Sequence, residues 1–391
     1  MSNKEIIRLN GIIHFWDLPE YMLVILKSDF KIKLFDELMY QAKTIYRANK
    51  LTSIARSSLS SYLFKEMPKI SISSLLKVLK AISTFNLGTV EENIIWIGGN
   101  TSPGISSPKL PFDFNSRSAV HLIAAICNDG WISANMCYSN SNQKLRQSVK
   151  KDAVLVFGGD ERIISENIKG NDKFLLFPSV MREAILLLAD FRGIKSENNP
   201  SIPLFIMKNK EFMCGWIEQT IADEGCVKHY PQTYRRELNW SRAFQKSLSR
   251  YNLIENEKAM LDVLGIQYEI YKIGEYKTIQ NIDKVRYAIR IAKRENLLKF
   301  RELIIIPGTI KDQIFTALTK TFMRYKEKII IKEKVLSLCK IHGSIDSRLL
   351  KESMNYKNTN CALRWLKFYE KQGKLVKGKV SSNYTLASQD I

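Results

Sequence analysis

The chain has 391 residues, 45% of them apolar and 25% charged, and 60 Lys and Arg against 39 Asp and Glu leave a net charge of +21. This composition excludes wholesale disorder, and the length predicts two to four domains. No apolar run reaches the roughly 18–20 residues that span a bilayer, and Arg8, Asn10 and His14 interrupt the start in a way a secretory signal does not tolerate. An intracellular protein is expected, cytoplasmic and nucleoid-associated. The six cysteines form no C-x-x-C pair and the four histidines are scattered, so spacing supports no structural zinc, and buried reduced thiols are expected. No nucleophile-elbow pattern is present, and GGNTSPG (98–104) lacks the Lys-Ser/Thr ending of a phosphate loop.

The positive charge is uneven. Residues 1–240 carry 30 basic and 24 acidic side chains, whereas residues 241–391 carry 30 basic and 15 acidic. Such a bias points to a polyanion, either nucleic acid or an anionic membrane surface, and a merely solvated basic face is the plain alternative. Membrane binding calls for basic residues on an exposed amphipathic helix. Segments such as KVRYAIRIAK (284–293) alternate like strands instead, which favours nucleic acid.

In chain order, residues 1–97 read as a helix-turn-helix domain. KLFDELMYQAKTIYRANK (33–50) and SISSLLKVLKAI (71–82) have helical apolar spacing and flank LTSIARSSLSSYLF (51–64). Ile54, Leu59, Tyr62 and Leu63 are expected to face inward. Arg56, Ser57, Ser58, Ser60 and Ser61 would then meet bases or phosphates; an ordinary helical bundle with a polar face is the alternative. Residues 98–116, with three prolines and three glycines in GGNTSPGISSPKLP, read as a linker.

The middle region, 117–305, carries the most specific pattern. HLIAAICNDGWIS (121–133) is an apolar helix ending in Asp129-Gly130, and GWIEQTIADEGCV (215–227) repeats the plan with Glu224-Gly225. Glycine after the acid lets the helix stop and the chain turn. A carboxylate at a helix C-terminus is electrostatically unfavourable, and two of them suggest a bound Mg²⁺ and metal-assisted phosphodiester cleavage. The alternative is a pair of helix-terminating turns in a scaffold that does not cut.

These segments resemble the paired motifs of single-chain LAGLIDADG homing endonucleases. LIAAICNDG (122–130) matches at its leucine, small, isoleucine, acid and glycine positions, and IEQTIADEG (217–225) at its first apolar residue, isoleucine, acid and glycine. The second motif has Glu218 and Gln219 where the family prefers small residues, and the first has Cys127 and Asn128 in place of an acid and an alanine. The resemblance implies an α+β, pseudo-symmetric αββαββα core with halves 117–195 and 211–305. Asp129 and Glu224 would be catalytic Mg²⁺ ligands, and Lys293 an assisting catalytic lysine. Arg235, Arg236, Asn239, Arg242, Arg286 and Arg290 would be contacts on a saddle over double-stranded DNA. Its two halves would make the chain a monomer. In the first half, strands are expected near 131–138, 153–158 and 173–177 and a helix near 179–191, with Lys173 as that half's lysine. In the second half, strands are expected near 225–230, 235–242, 266–273 and 284–292, with a helix at 244–264.

A basic connector, 306–328, follows a break at Pro307-Gly308 and leads to residues 329–391. These read as three helices and a hairpin, the order of a winged helix. Leu363, Leu366 and Tyr369 would face its core, and Thr359, Asn360, Arg364 and Lys367 the major groove. Lys374, Lys377 and Lys379 would load the wing for phosphate contact, although such modules also bind proteins. The whole predicts a sequence-specific double-stranded DNA-binding protein with a Mg²⁺-dependent endonuclease core. The alternative is a non-cleaving factor, either an origin-binding replication initiator or a transcription regulator.

Overall fold

The structure, a computed structural model, describes residues 2–169, 172–230, 235–306, 310–354, 356, 358–378 and 382–387; side chains at 168, 169, 172, 230, 235 and 321–332 are excepted. The fold is α+β. Contacts divide the chain into two units, Met1–Phe315 and Thr316–Ile391.

The N-terminal part of the first unit joins helices to a four-stranded antiparallel sheet, in the order Ile70–Ser71, Leu23–Leu26, Ile94–Gly98, Ile105–Ser106. The helical run expected over 33–50 breaks where Lys43 adopts a left-handed conformation and the Thr44 side chain accepts from the Arg47 N–H. This gives a helix Ser28–Ala42, then α1 (Ile45–Thr52) and α2 (Arg56–Phe64). Ile54, Leu59 and Tyr62 are buried as expected, and Leu63 is half-buried. Residues 98–116 are not a free linker. Ile105–Ser106 closes the sheet, Phe112–Asp113 pairs with Ile12–Ile13, and Phe112 and Phe114 pack edge-on against Phe157. The buried Ile105, Phe112 and Phe114 account for this, because a solvated linker leaves no apolar side chain to cover.

Two successive αββαββα units follow. The first comprises α3 (Arg117–Asn128), β1 (Gly130–Ile132), β2 (Met136–Ser139), α4 (Gln143–Phe157), β3 (Ser165–Lys169), β4 (Asp172–Phe177) and α5 (Ser179–Ala189). The second comprises α6 (Lys210–Glu224), β5 (Cys226–Tyr230), β6 (Arg235–Gln245), α7 (Asn252–Val263), β7 (Glu269–Lys277), β8 (Asp283–Ile291) and α8 (Arg294–Leu303). Their antiparallel sheets have the same order, β1-β2-β4-β3 and β5-β6-β8-β7.

Two expectations are corrected here. The strand expected at 153–158 is the end of α4, capped by Asn142 and burying Leu145, Val149, Ala153 and Val156 at helical spacing. The apolar run AVLVF imitates a strand only when read without the turns before it. The helix expected from 244 starts at Asn252, because β6 continues to Gln245, which pairs with Lys284 of β8.

In the second unit, the end of α9 (Ile310–His342), α10 (Ser347–Ser353) and α11 (Thr359–Lys371) surround a small core. It contains Val335, Cys339, Leu350, Ala362, Leu366 and Tyr369. Asp346 caps α10 and Asn358 caps α11. The hairpin β9 (Leu375–Lys377) and β10 (Tyr384–Leu386) closes it, and Tyr384 also bridges to Ile345. The expected break at Pro307-Gly308 lies outside the described residues.

Candidate nucleic-acid interface and acidic seam

Helices α3 and α6 pack side by side, and the acids stand at equivalent ends: Asp129 caps α3, and Glu224 is the last residue of α6. The glycines that follow are required by close approach rather than by a left-handed turn, since neither has a positive φ. A Cβ on Gly130 would lie 2.6 Å from Ile126 Cα, and one on Gly225 2.5 Å from the Ile221 carbonyl oxygen.

Of the polar residues in the second motif, Glu218 is paired across the seam and Gln219 within its own helix. Buried Glu218 accepts from the Arg117 guanidinium, the His121 ring (3.2 Å) and the Ile305 N–H (2.7 Å). Burial alone would raise its carboxyl, but the His121 and Arg117 hydrogen bonds outweigh burial and hold it below the usual range. Gln219 donates to both oxygens of Asp223 at 3.0 Å, and Asn128 of α3 donates to Asp223 at 3.3 Å. Asp223 thus gathers the amide of Gln219 from its own helix and that of Asn128 from the other.

At the ends of the helices, three carboxyls meet three cations. Asp129 accepts from Asn140 Nδ2 at 2.9 Å, and burial raises its carboxyl. Burial, with the charge of Asp129, pushes Asp223 up to about 7 although Tyr138 donates to it at 2.7 Å. Burial also raises Glu224, whose Oε1 lies 3.6 Å from Arg242 Nη1. Lys195, beyond α5, donates to the Asn128 carbonyl at the end of α3. Lys311, beyond α8, donates to the Ile221, Ala222 and Asp223 carbonyls at 3.1, 2.6 and 3.1 Å. Each half thus sets a lysine on the negative end of its own motif helix, and burial lowers both lysine pKa values.

Two clefts flank these ends. Asp129 and Asp223 share one of about 480 Å³ with Asn140, Lys173 and Lys311. Glu224 lines the other, about 310 Å³, with Lys195, Arg242 and Arg286. Lys173, the first half's candidate lysine, thus lines the cleft of Asp129. Lys293 does not. It caps the start of α8, and its Nζ bonds Gln267 at 3.1 Å in a separate cleft with Tyr268 and Arg290. Lys195 and Lys311 were missed because a lysine in a connecting segment has no local signature. Their one signal is that each follows the last helix of its half.

The expected strand contacts divide by face. Leu238, Trp240, Arg242 and Phe244 alternate on the buried side of β6, so Arg242 turns away from the open face and bonds Glu257 and Asn128. Half-buried Arg236 shares that parity, and Asn239 is buried with its amide on Glu237. The Arg235 side chain lies outside the described residues. Arg290 faces outward but pairs with Glu269 and Glu237 and lies over Tyr271. Arg286 is exposed, with its guanidinium 5.6 Å from the Tyr276 ring centroid. Arg286→Ala is therefore expected to weaken duplex binding by roughly 1–3 kcal/mol, and Arg290→Ala by less, measured by titration at one fixed salt concentration.

Of the residues expected on a recognition helix, Arg56 and Ser57 are exposed and Ser58, Ser60 and Ser61 half-buried; Arg56 and Lys50 lie over the Tyr46 ring. In the second unit Thr359, Asn360, Arg364 and Lys367 are exposed on α11, opposite Ala362, Leu366 and Tyr369. Lys377 is exposed and Lys374 half-buried, whereas Lys379 lies outside the described residues. Among the described residues, no group of three or more His, Cys, Asp or Glu side chains converges as a metal site. No described helix is long and apolar enough to cross a membrane. The chain matches no protein-family model and no curated protein.

Proposed function

We propose that this chain binds double-stranded DNA on a LAGLIDADG-like saddle and cleaves it at Asp129 and Glu224 with Mg²⁺. One observation carries the reading. Two αββαββα halves with the same strand order set their first helices side by side and bring a carboxylate to equivalent ends of both. A shared strand order with matched acids is what two neighbouring scissile phosphates would need.

The donors suit Mg²⁺, which proteins commonly hold through one or two carboxylates, with water and substrate phosphate completing the shell. Asp129 fits best: Asn140 donates to one of its carboxylate oxygens, and it lines a polar cleft. Asp223 fits poorly, because Tyr138, Gln219 and Asn128 already occupy its oxygens. When bound, the ion would lower the pKa of an attacking water and offset charge on the leaving oxygen. Asn140 orients Asp129, Lys173 stands in the same cleft to meet a phosphate oxygen, and Lys311, its donors held by the α6 carbonyls, adds positive charge there. The helix-turn-helix and the winged-helix-like unit would add contacts through Arg56, Arg364, Lys367 and Lys377.

The test is incubation of the purified protein with a bound duplex and Mg²⁺, beside Asp129→Asn and Glu224→Gln. Cutting by the unaltered protein alone supports the proposal; a tight footprint with no cutting overturns its catalytic half. One observation favours a second reading, a non-cleaving regulator or replication initiator. Arg242 stands 3.6 Å from Glu224, so one acid already has an internal cation.

A further inference from the structure

The two sheets share a strand order but differ in the chemistry of the faces turned away from their helices. Alternation assigns those faces. In the first sheet Ile132, Met136, Tyr138, Leu175 and Phe177 are buried. The opposite face carries Trp131, Ser139, Asn167, Phe174 and Leu176, and the register of β3 with β4 assigns Lys169 to it as well. Trp131 is 36% exposed, and its ring meets that of Phe174 at 5.7 Å. Cys137, the register partner of Trp131 on the same face, is only 2% exposed. The corresponding face of the second sheet carries Lys228, Arg286 and Arg290 with Tyr271 and Tyr276.

We infer that the DNA site is asymmetric, with an A·T-rich half-site on the first sheet whose thymine methyl groups are read by Trp131 and Phe174. This rests on the duplex-binding reading above. Thymine is the base that presents an apolar group in the major groove, and an asparagine amide matches the adenine edge paired with it. Trp131 and Phe174 supply the apolar contact, and half-buried Asn167 stands on the same face. The second sheet supplies the phosphate contacts, with Arg286 placed to read guanine.

The test is selection of bound sequences from a random duplex pool by the full chain, Trp131→Ala and Trp131→Phe. A non-palindromic site is expected, with thymine and adenine enriched in one half. Trp131→Ala flattens preference in that half alone, and Trp131→Phe retains it. Uracil replacing thymine removes only the methyl groups and leaves the protein unchanged. In that half it is expected to weaken binding about fivefold or more, and in the other half to change nothing. Equivalent halves, an unchanged site for Trp131→Ala, or indifference to uracil overturns the inference while leaving duplex binding intact. The last two outcomes would mean that the aromatic face serves something other than DNA. No enrichment over the starting pool overturns the duplex-binding reading itself, and this inference with it.

Discussion

Asp129→Asn is expected to abolish cutting while raising the melting temperature. The two effects have one cause. Burial raises the Asp129 carboxyl above its ordinary range, so holding it ionised costs the folded state free energy. Asparagine removes that charge and retains an oxygen that can accept from Asn140. It cannot replace the carboxylate as a ligand, and a several-kcal/mol loss of transition-state stabilisation corresponds to roughly a thousandfold in rate. The pH dependence has the same origin. Asp129, Asp223 and Glu224 are all raised, so the folded state binds their protons more tightly than the unfolded state does. Their contribution to stability is largest below the unfolded carboxylate range and falls as pH rises, ending for Asp223 near its value of about 7. Thermal melts of the unaltered protein and Asp129→Asn between about pH 4 and 7 read this directly. Loss of cutting with a lowered melting temperature would mean that Asp129 is structural.

Glu218→Ala is expected to destabilise the first unit by about 3 kcal/mol, with denaturant titration as the measurement. Removing this carboxylate leaves Arg117 and His121 without their shared acceptor and strands the Ile305 N–H. The figure is at the low end for a broken buried pair because the Arg117 side chain remains 37% exposed. Here the sign of the pH dependence is opposite to that at the helix ends. The Glu218 carboxyl is depressed, so its stabilisation is present above the unfolded glutamate pKa and lost as pH falls through the lower folded value. Glu218→Gln should retain the shape of the contact while removing that dependence. A loss below about 0.5 kcal/mol for Glu218→Ala would place the cluster outside the packed seam.

What the sequence made legible follows from the range of the forces involved. The motif helices, their acids and the burial of Ile54, Leu59 and Tyr62 rest on local periodicity, and the structure retains them. The strand expected at 153–158 failed because the apolar run AVLVF, which ends α4, fits either period, and the choice depends on the Asn142 cap upstream. Arg242 illustrates a second kind of loss. Its place among strand arginines suggested an open surface, but parity with Leu238 and Trp240 turns it toward Glu257. Glu218 looked like a departure from a tight seam because its partners, Arg117 and His121, are about a hundred residues away. Lys195 and Lys311 were invisible for the same reason, since each is defined by the carbonyls it reaches rather than by its neighbours in sequence.

The measurement that tests the central claim most directly is the affinity of the full chain for a selected duplex between about 50 and 200 mM salt. A protein gripping phosphates with its basic faces releases counterions, so the logarithm of affinity should fall linearly with the logarithm of salt, by about 0.9 for each phosphate contacted. A slope of several units that becomes shallower in Lys228→Ala or Arg286→Ala is the predicted result. An affinity that hardly changes across that range, or no duplex binding at its low-salt end, would contradict the account.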